Sequence, residues 1–387
     1  MNQSHYTLRQ LALYFLKLGT VGFGGPVALV GYMHRDLVEN KKWITEEEYK
    51  EGLALAQLAP GPLAAQLGIY MGFIHYRVWG ATLCGLAFIL PSFTMVVLLG
   101  MAYKMYGGLL WMQAVFYGVG AAVIGIIVMS AYKLTVKSVS KLKWPEIRKH
   151  WLLWTFYLIA IVITVITKTE PVLLFVGAGI IYMMVKAPPK WARKPVESGF
   201  ILLGIGFGQF DWNTLGKIAW FFTKAGTFVF GSGLAIVPFL HAGVVTENHW
   251  LTENQFIDAV AVAMITPGPV VITVGFIGYL INGFAGALVA ALATFIPCYL
   301  FTIILAPSFK KIAKNNSVKA FVEGITAAVI GALAGAVVVI AMRSINDIPT
   351  VLIAAGSMLS LILIKKLQEP YIILIAAIAG LLIKSAQ

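Results

Sequence analysis

Charge is what this sequence has little of. Asp, Glu, Lys and Arg make up 12% of its 387 residues, where soluble domains carry about a quarter. Cysteine is nearly absent. Cys84 and Cys298 both fall in apolar runs and do not match each other under the repeat spacing described below, so they read as core residues with no disulfide. The six histidines show no metal-ligand spacing such as HExxH, and no Walker A sequence, Ser/Lys dyad motif or pair of aspartates occurs. These absences argue against a metal site, a bound cofactor, direct use of ATP and an intramembrane enzyme. The net charge of +13 comes without any RNP-like, zinc-finger or helix-turn-helix pattern, so it points to no nucleic acid. No small-residue cleavage site follows the first apolar stretch, so no signal peptide is read.

Apolar residues, by contrast, are 59% of the chain and come in long runs. That combination reads as an all-α polytopic membrane protein held in a lipid bilayer. The Lys and Arg between the runs then report orientation, because they mark the cytoplasmic side.

The run from Gly52 to Ile74 is broken at its centre by Pro60-Gly61-Pro62. Two residues without backbone donors around one tolerant of unusual angles end one helix and start another. The amides after Pro62 lack intrahelical partners and carry the positive end of the new helix dipole. Broken backbone at membrane depth is tolerated only inside protein or beside a wet cavity, so this is a candidate anion site. The motif recurs as Pro267-Gly268-Pro269, and Pro267 stands 207 positions after Pro60.

The surrounding residues keep that register. Lys17 matches Lys224, Gly19 matches Gly226, Phe23-Gly24 match Phe230-Gly231, His34 matches His241 and Trp43 matches Trp250, all at 207. After one deletion the offset is 206, where Gly80-Ala81 match Gly286-Ala287, Pro91 matches Pro297 and Ala121–Gly125 equals Ala327–Gly331. The chain reads as an internal duplication, residues 1–190 and 199–387. The first copy's basic loop, Lys133 to Lys149, follows the span Trp111–Tyr132; the second copy's, Lys310 to Lys319, comes one span earlier. Equivalent loops therefore face opposite sides, and the two structural repeats are inverted. Inversion without an extra linker helix needs an odd number of crossings per copy. Six apolar segments then suggest about five crossing helices plus a re-entrant or broken Pro-Gly-Pro helix, with 7–33 as a kinked first crossing and both termini extracytoplasmic. Gly199 to Phe210 is short for a crossing and reads as interfacial.

These pieces resemble the chromate ion transporter family in its long, two-repeat form. The resemblance rests on FGGPVALVGYMHRDLVENKKWIT (Phe23–Thr45), LAPGPLAAQLGIYMG (Leu58–Gly72), AFILPSF (Ala87–Phe93), FGSGLAIVPF (Phe230–Phe239), NHWLTENQFIDAVAVAMITPGPVVITVGFIGY (Asn248–Tyr279) and FIPCY (Phe295–Tyr299). It implies a multi-pass inner-membrane transporter exporting chromate, driven by the membrane potential or a proton gradient. Sulfate is the look-alike anion, and uptake of sulfate or another anion is the rival reading. A homodimer stays open.

Candidate binding residues for a small inorganic oxyanion gather at the breaks. Lys17 and Lys224 lie inside apolar segments at matched positions; they either snorkel to an interface or face an anion path. Gly24, Gly25, Gly231, Ser232 and Gly233 either pack helices closely or expose amides to the anion. Gly61 and Gly268 form the Pro-Gly-Pro tips. Gln66 and Thr266 flank them as donors, with Thr266 alternatively bonding back to its own helix. Glu323 is the acid in its span; it either pairs with Lys224 or carries a coupling proton. His34 and His241 read as interface residues.

Overall fold

The computed structural model describes residues 6–169, 172–189, 214–229, 233–312, 314–345, 347–364 and 367–385. The described residues form helices and connecting turns: α1 (Leu8–Val21), α2 (Gly25–Met33), α3 (Glu46–Leu58), α4 (Leu63–Tyr106), α5 (Leu110–Ser138), α6 (Trp144–Lys149), α7 (Trp151–Thr167) and α8 (Val172–Lys186). After the linker come α9 (Thr214–Thr227), α10 (Ile236–His241), α11 (Glu253–Ile265), α12 (Thr273–Leu305), α13 (Phe309–Ile312), α14 (Asn316–Ser344), α15 (Ile348–Leu363) and α16 (Glu369–Ser385). Four of these, α4, α5, α12 and α14, belong to apolar stretches long enough to cross a bilayer, and the chain is a transmembrane protein. Its outer faces carry exposed Leu, Ile and Val, among them Leu86, Leu90, Ile166, Ile304 and Leu352, as a lipid-facing surface requires.

α4 and α12 are not straight. Arg77 sits at φ 51° inside α4, and Asn282 and Gly283 leave helical geometry inside α12. The chain doubles back there. A methyl group on Gly72 would overlap the Gly80 carbonyl oxygen, and one on Gly278 would overlap that of Gly286. In a straight helix those partners are about 12 Å apart. The arm 63–76 of α4 instead lies antiparallel to α3. Gly52 meets the Tyr70 ring, and His75 Nε2 is 3.2 Å from Glu48 Oε1. α3 and this arm are a helical hairpin whose tip is Pro60-Gly61-Pro62. α3 opens on a capping box between Thr45 and Glu48, as Thr252 and Gln255 open α11.

The first apolar segment folds back as well, where a kinked crossing was expected. α1 has 14 residues, about 21 Å at 1.5 Å each, too short for a hydrocarbon core of about 30 Å. Gly24 and Gly25 take φ of 103° and 70° in succession and turn the chain around. α2 then brings Asp36 back beside Tyr14, whose hydroxyl donates to its carboxylate at 3.4 Å. Tyr6 stacks on Trp43 at 4.9 Å and bonds His75, so the described N-terminal end lies on the face where Arg77 turns. The stretch 199–210 lies outside the described residues.

The two halves interlock. α5 packs on α15 and α16, whereas α14 packs on α7 and α8. Small residues let the backbones approach. A methyl group on Gly118 would overlap Ala376, and one on Gly125 would overlap Ala354. At offset 206, Gly324 is held against Ala178 and Gly331 against Tyr157.

Candidate functional site

The hairpin tips meet the breaks of the opposite half. Gly61 N–H donates to the Val229 carbonyl at 2.6 Å, and Gly268 N–H donates to the Gly22 carbonyl at 2.9 Å. Each donor and each acceptor is 207 positions from its counterpart. Positive φ at Gly61 (142°) and Gly268 (99°) is what turns these amides outward from the tips.

The two tips are locked by different side chains. The Pro267 carbonyl accepts from Ser92 Oγ at 2.8 Å. Ser92's counterpart at offset 206 is Cys298, whose Sγ lies beside the Gly61 position. A thiol is a weak donor, and the Pro60 carbonyl instead accepts from Gln66 Nε2 at 2.8 Å. Gln66 is fully buried, and its Oε1 has no hydrogen-bond partner. Its counterpart Thr273 donates within its own turn, to the Val270 carbonyl at 2.7 Å. Thr266 Oγ donates to the Val262 carbonyl at 2.6 Å, the local bond that competes with a ligand role. The side-chain and tip donors singled out in the sequence are thus engaged within the protein. Backbone amides of helix starts remain: no side chain caps α2, α4 or the turn 270–272, and residues 63–65, 270 and 271 are buried, whereas the Ile272 N–H already donates to the Pro269 carbonyl at 2.9 Å.

A cavity of about 800 Å³ reaches one of these breaks, at Gly22 and Phe23. Lys17, Arg35, Lys41 and Trp43 line it with Asp36, and Gly22 and Phe23 lie among its lining residues. Arg35 pairs with Asp36 at 3.0 Å, and Lys41 lies 4.5 Å over the Trp43 ring. Lys17 is exposed into this space. A side chain on Gly25 would meet nothing within 4 Å, whereas Gly24 approaches Ala28 and Gly233 packs on Val270 and Val271. Lys224 is half-buried, 5.7 Å over Trp220, and does not line this cavity. Gly231 and Ser232 lie outside the described residues. Glu323 is exposed, and no ion pair joins it to Lys224 among the described residues.

Two matched histidines hold the mouths of the hairpins. His34 Nε2 is 2.8 Å from Glu46, and His241 Nε2 is 2.6 Å from Glu253, which Arg343 also binds at 3.0 Å. The His34 contact, followed by Lys50, holds the Glu46 carboxyl below its ordinary range. They act as latches between elements, in keeping with a structural part. Ser92 and Asp258 were missed in the sequence. The available signal was register: Ser92 follows Pro91 as Cys298 follows Pro297, and Asp258 stands 207 positions after Glu51.

The chromate transporter family model matches the chain twice, over residues 9–183 and 216–381. A chromate transport protein of Cupriavidus metallidurans is 62% identical over 381 residues, covering 97% of this chain and 93% of the relative. A probable chromate transport protein of Synechococcus elongatus is 58% identical over 384 residues, covering 97% and 96%. A chromate transport protein of Pseudomonas aeruginosa is 27% identical over 399 residues, covering 97% and 92%. No solved structure matches the chain. These relatives are named for transport, not for an enzyme activity, and the family model spans both halves: the chain belongs to the chromate transporter family.

Proposed function

We propose that this protein exports chromate across the inner membrane as a secondary transporter, driven by the membrane potential or a proton gradient. The observation that carries this reading is the reciprocal insertion of two hairpin tips with uncapped helix starts around them, beside a cavity that is lined by Lys17, Arg35 and Lys41 and reaches Gly22, the residue on which the second tip seats. Buried amides without partners suit an anion that accepts hydrogen bonds on every oxygen. The names of the relatives supply chromate as the substrate; sulfate, of similar charge and shape, is the competing one.

The same geometry supports two inverted repeats, 1–190 and 199–387; with 7–33 folded back, 78–106, α5, α7 and α8 are an even number of crossings in the first copy, so inversion requires one further crossing between the copies. Contacts recur at offsets of 206 and 207, and each tip seats in the opposite half. In this reading Lys133–Lys149, Lys186 and Lys310–Lys319 are cytoplasmic; the rest of the basic stretch Lys186–Lys194, from Lys190 on, lies outside the described residues. The N-terminal end, tied by Tyr6 to the face of Arg77, shares that side, which replaces the extracytoplasmic placement expected for it. The C-terminal end lies opposite. Ser138 and Ser344 are matched positions at the ends of α5 and α14. In a chain with Cys84 and Cys298 replaced, a membrane-impermeant thiol reagent applied outside should label Ser344→Cys and leave Ser138→Cys unmodified. Labelling of both would rule out inversion.

Direction follows from charge asymmetry. The first cavity is lined by Lys17, Arg35 and Lys41 against Asp36, while the second mouth, 241–258, holds no Lys or Arg. A basic funnel on the cytoplasmic face concentrates dianions where export begins. Lys17→Gln should weaken chromate binding about tenfold, the loss expected from one charge-assisted contact; Lys224→Gln should also lower flux. Lys→Arg need not rescue, because a planar fork replaces a compact ammonium. Radiolabelled chromate flux into inverted vesicles, with sulfate and molybdate as competitors, measures both. Normal flux in both Gln variants would return these lysines to snorkelling, and stronger uptake of sulfate than of chromate would reassign the substrate.

A further inference from the structure

A second cavity, of about 980 Å³, opens away from the first. α16 links them: Gln368, just before its start, lines the first, and Lys384 and Ser385 at its end line the second. In the second lies Asp258, on the hairpin helix α11. The residue is only 6% exposed. Its Oδ2 accepts one hydrogen bond, from the Tyr103 hydroxyl at 2.7 Å, and no ion pair reaches it among the described residues. A carboxylate buried beside apolar helices, without a cation, is costly while charged and settles readily as the neutral acid.

The other ionisable groups of the cavity are occupied differently. α5 contributes Tyr117, whose hydroxyl donates to Asp347 at the start of α15 at 2.6 Å. That bond, followed by those of Thr350, holds the Asp347 carboxyl below the usual carboxylate range. α16 contributes Lys384, 4.7 Å over the Tyr117 ring. α14 contributes Arg343, outside the lining and bonded to Glu253 on α11 itself. α4 contributes Tyr103, and among the described residues neither α12 nor the turns 242–247 and 270–272 place an ionisable side chain in the lining. One carboxylate of the cavity is therefore kept charged by its donors, and the other is buried with a single phenol. Two acids in one cavity with opposed surroundings divide into a fixed charge and a proton carrier.

We propose that Asp258 binds the counter-transported proton: its carboxyl takes one H⁺ from this cavity and releases it on the opposite side as one chromate dianion leaves. This rests on the transport reading above and assigns the coupling role to Asp258 in place of Glu323. Its place on α11, ten positions before Gly268 in the tip, ties protonation to the hairpin that closes on Gly22.

The test uses full-length protein in liposomes, with the potential clamped at zero and the pH on the chromate side held constant. Wild type should move chromate toward the acidic compartment and should also exchange chromate for chromate at equal pH. Asp258→Asn keeps an acceptor for Tyr103 but cannot titrate. It should lose pH-driven net flux by at least about tenfold while retaining exchange, a split that a merely structural aspartate would not give, because both fluxes would fall together. Tyr103→Phe removes the donor that favours the charged form and should move the midpoint of the flux–pH profile upward by about one unit. The proposal is overturned by wild-type pH-driven flux in Asp258→Asn, by loss of coupling in Glu323→Gln with coupling intact in Asp258→Asn, or by an unmoved midpoint in Tyr103→Phe. The last decides the matter if Asp258→Asn does not fold. Absence of exchange in wild type overturns the transport reading itself.

Discussion

Gly268→Ala is expected to abolish transport and to remove a large part of the fold's stability. The residue sits at φ 99°, where any side chain is strained by about 1–3 kcal/mol. Its new methyl group would also overlap Ser92 Oγ, with Ser92 Cβ at 3.1 Å behind it. Ser92 cannot simply turn away, because its hydroxyl holds the Pro267 carbonyl. Overpacking of this kind adds about 1–3 kcal/mol. The sum, about 2–6 kcal/mol, is comparable with the net stability of many folded domains. Gly61→Ala should be milder. Its nearest neighbours, Gln66 Nε2 at 2.7 Å and Cys298 Sγ at 3.0 Å, leave more room than the 2.0 Å to Ser92 Oγ at Gly268, so a smaller shift relieves the overlap. Ser92→Ala should partly rescue Gly268→Ala, since it removes the overlapping oxygen, so the double variant should be more stable than the two single losses predict. Thermal unfolding in detergent ranks these proteins. An unchanged midpoint for Gly268→Ala would mean that the tip is not packed against Ser92 as described.

Much of this architecture is legible in the chain because proline and glycine act locally. Pro-Gly-Pro must break a helix wherever it stands, and the 207-residue register carries that break from one half to the other. The fold-back of α1 on α2 was less legible. Residues 7–33 are long enough to cross, and Phe23-Gly24-Gly25-Pro26 is compatible with a kink. Two successive glycines at positive φ reverse the chain, and nothing local dictates that both adopt it. The fate of the donors could not be read at all. Whether the Gly61 amide is free depends on the Val229 carbonyl, 168 positions away, and Thr266 is spent on its own helix. Glu323 stood out as an acid in an apolar span. α14 is apolar nearly all round, however, so its sequence does not say which face points inward, and Glu323 points out. Asp258 was hidden for the opposite reason, among polar residues at a hairpin mouth inside the stretch Asn248–Tyr279, where the Pro-Gly-Pro and the register matches stand out first.

An inside-negative potential should drive chromate to a steep gradient, and the steepness counts the charges moved. Each charge crossing 100 mV is worth about 2.3 kcal/mol. A dianion leaving alone gains roughly 4.6 kcal/mol, on the order of a thousandfold gradient at tenfold per 1.4 kcal/mol. If one proton enters through Asp258 for each chromate that leaves, three charges move in the favourable sense. The gain becomes roughly 6.9 kcal/mol, and the limiting gradient rises by a further factor of about forty. The two cases separate at equal pH on both sides, in liposomes with a graded potassium-diffusion potential. The logarithm of the chromate ratio against potential should have the slope of three charges in wild type and of two in an Asp258→Asn protein that still transports. A slope of two in wild type would remove the proton and leave a simple electrogenic uniport. A ratio indifferent to potential would exclude both, because only a neutral exchange, such as one dianion for another, ignores the field. The basic cavity at the first mouth fits the charged routes best: its lysines attract a free dianion, which has most to gain from the potential.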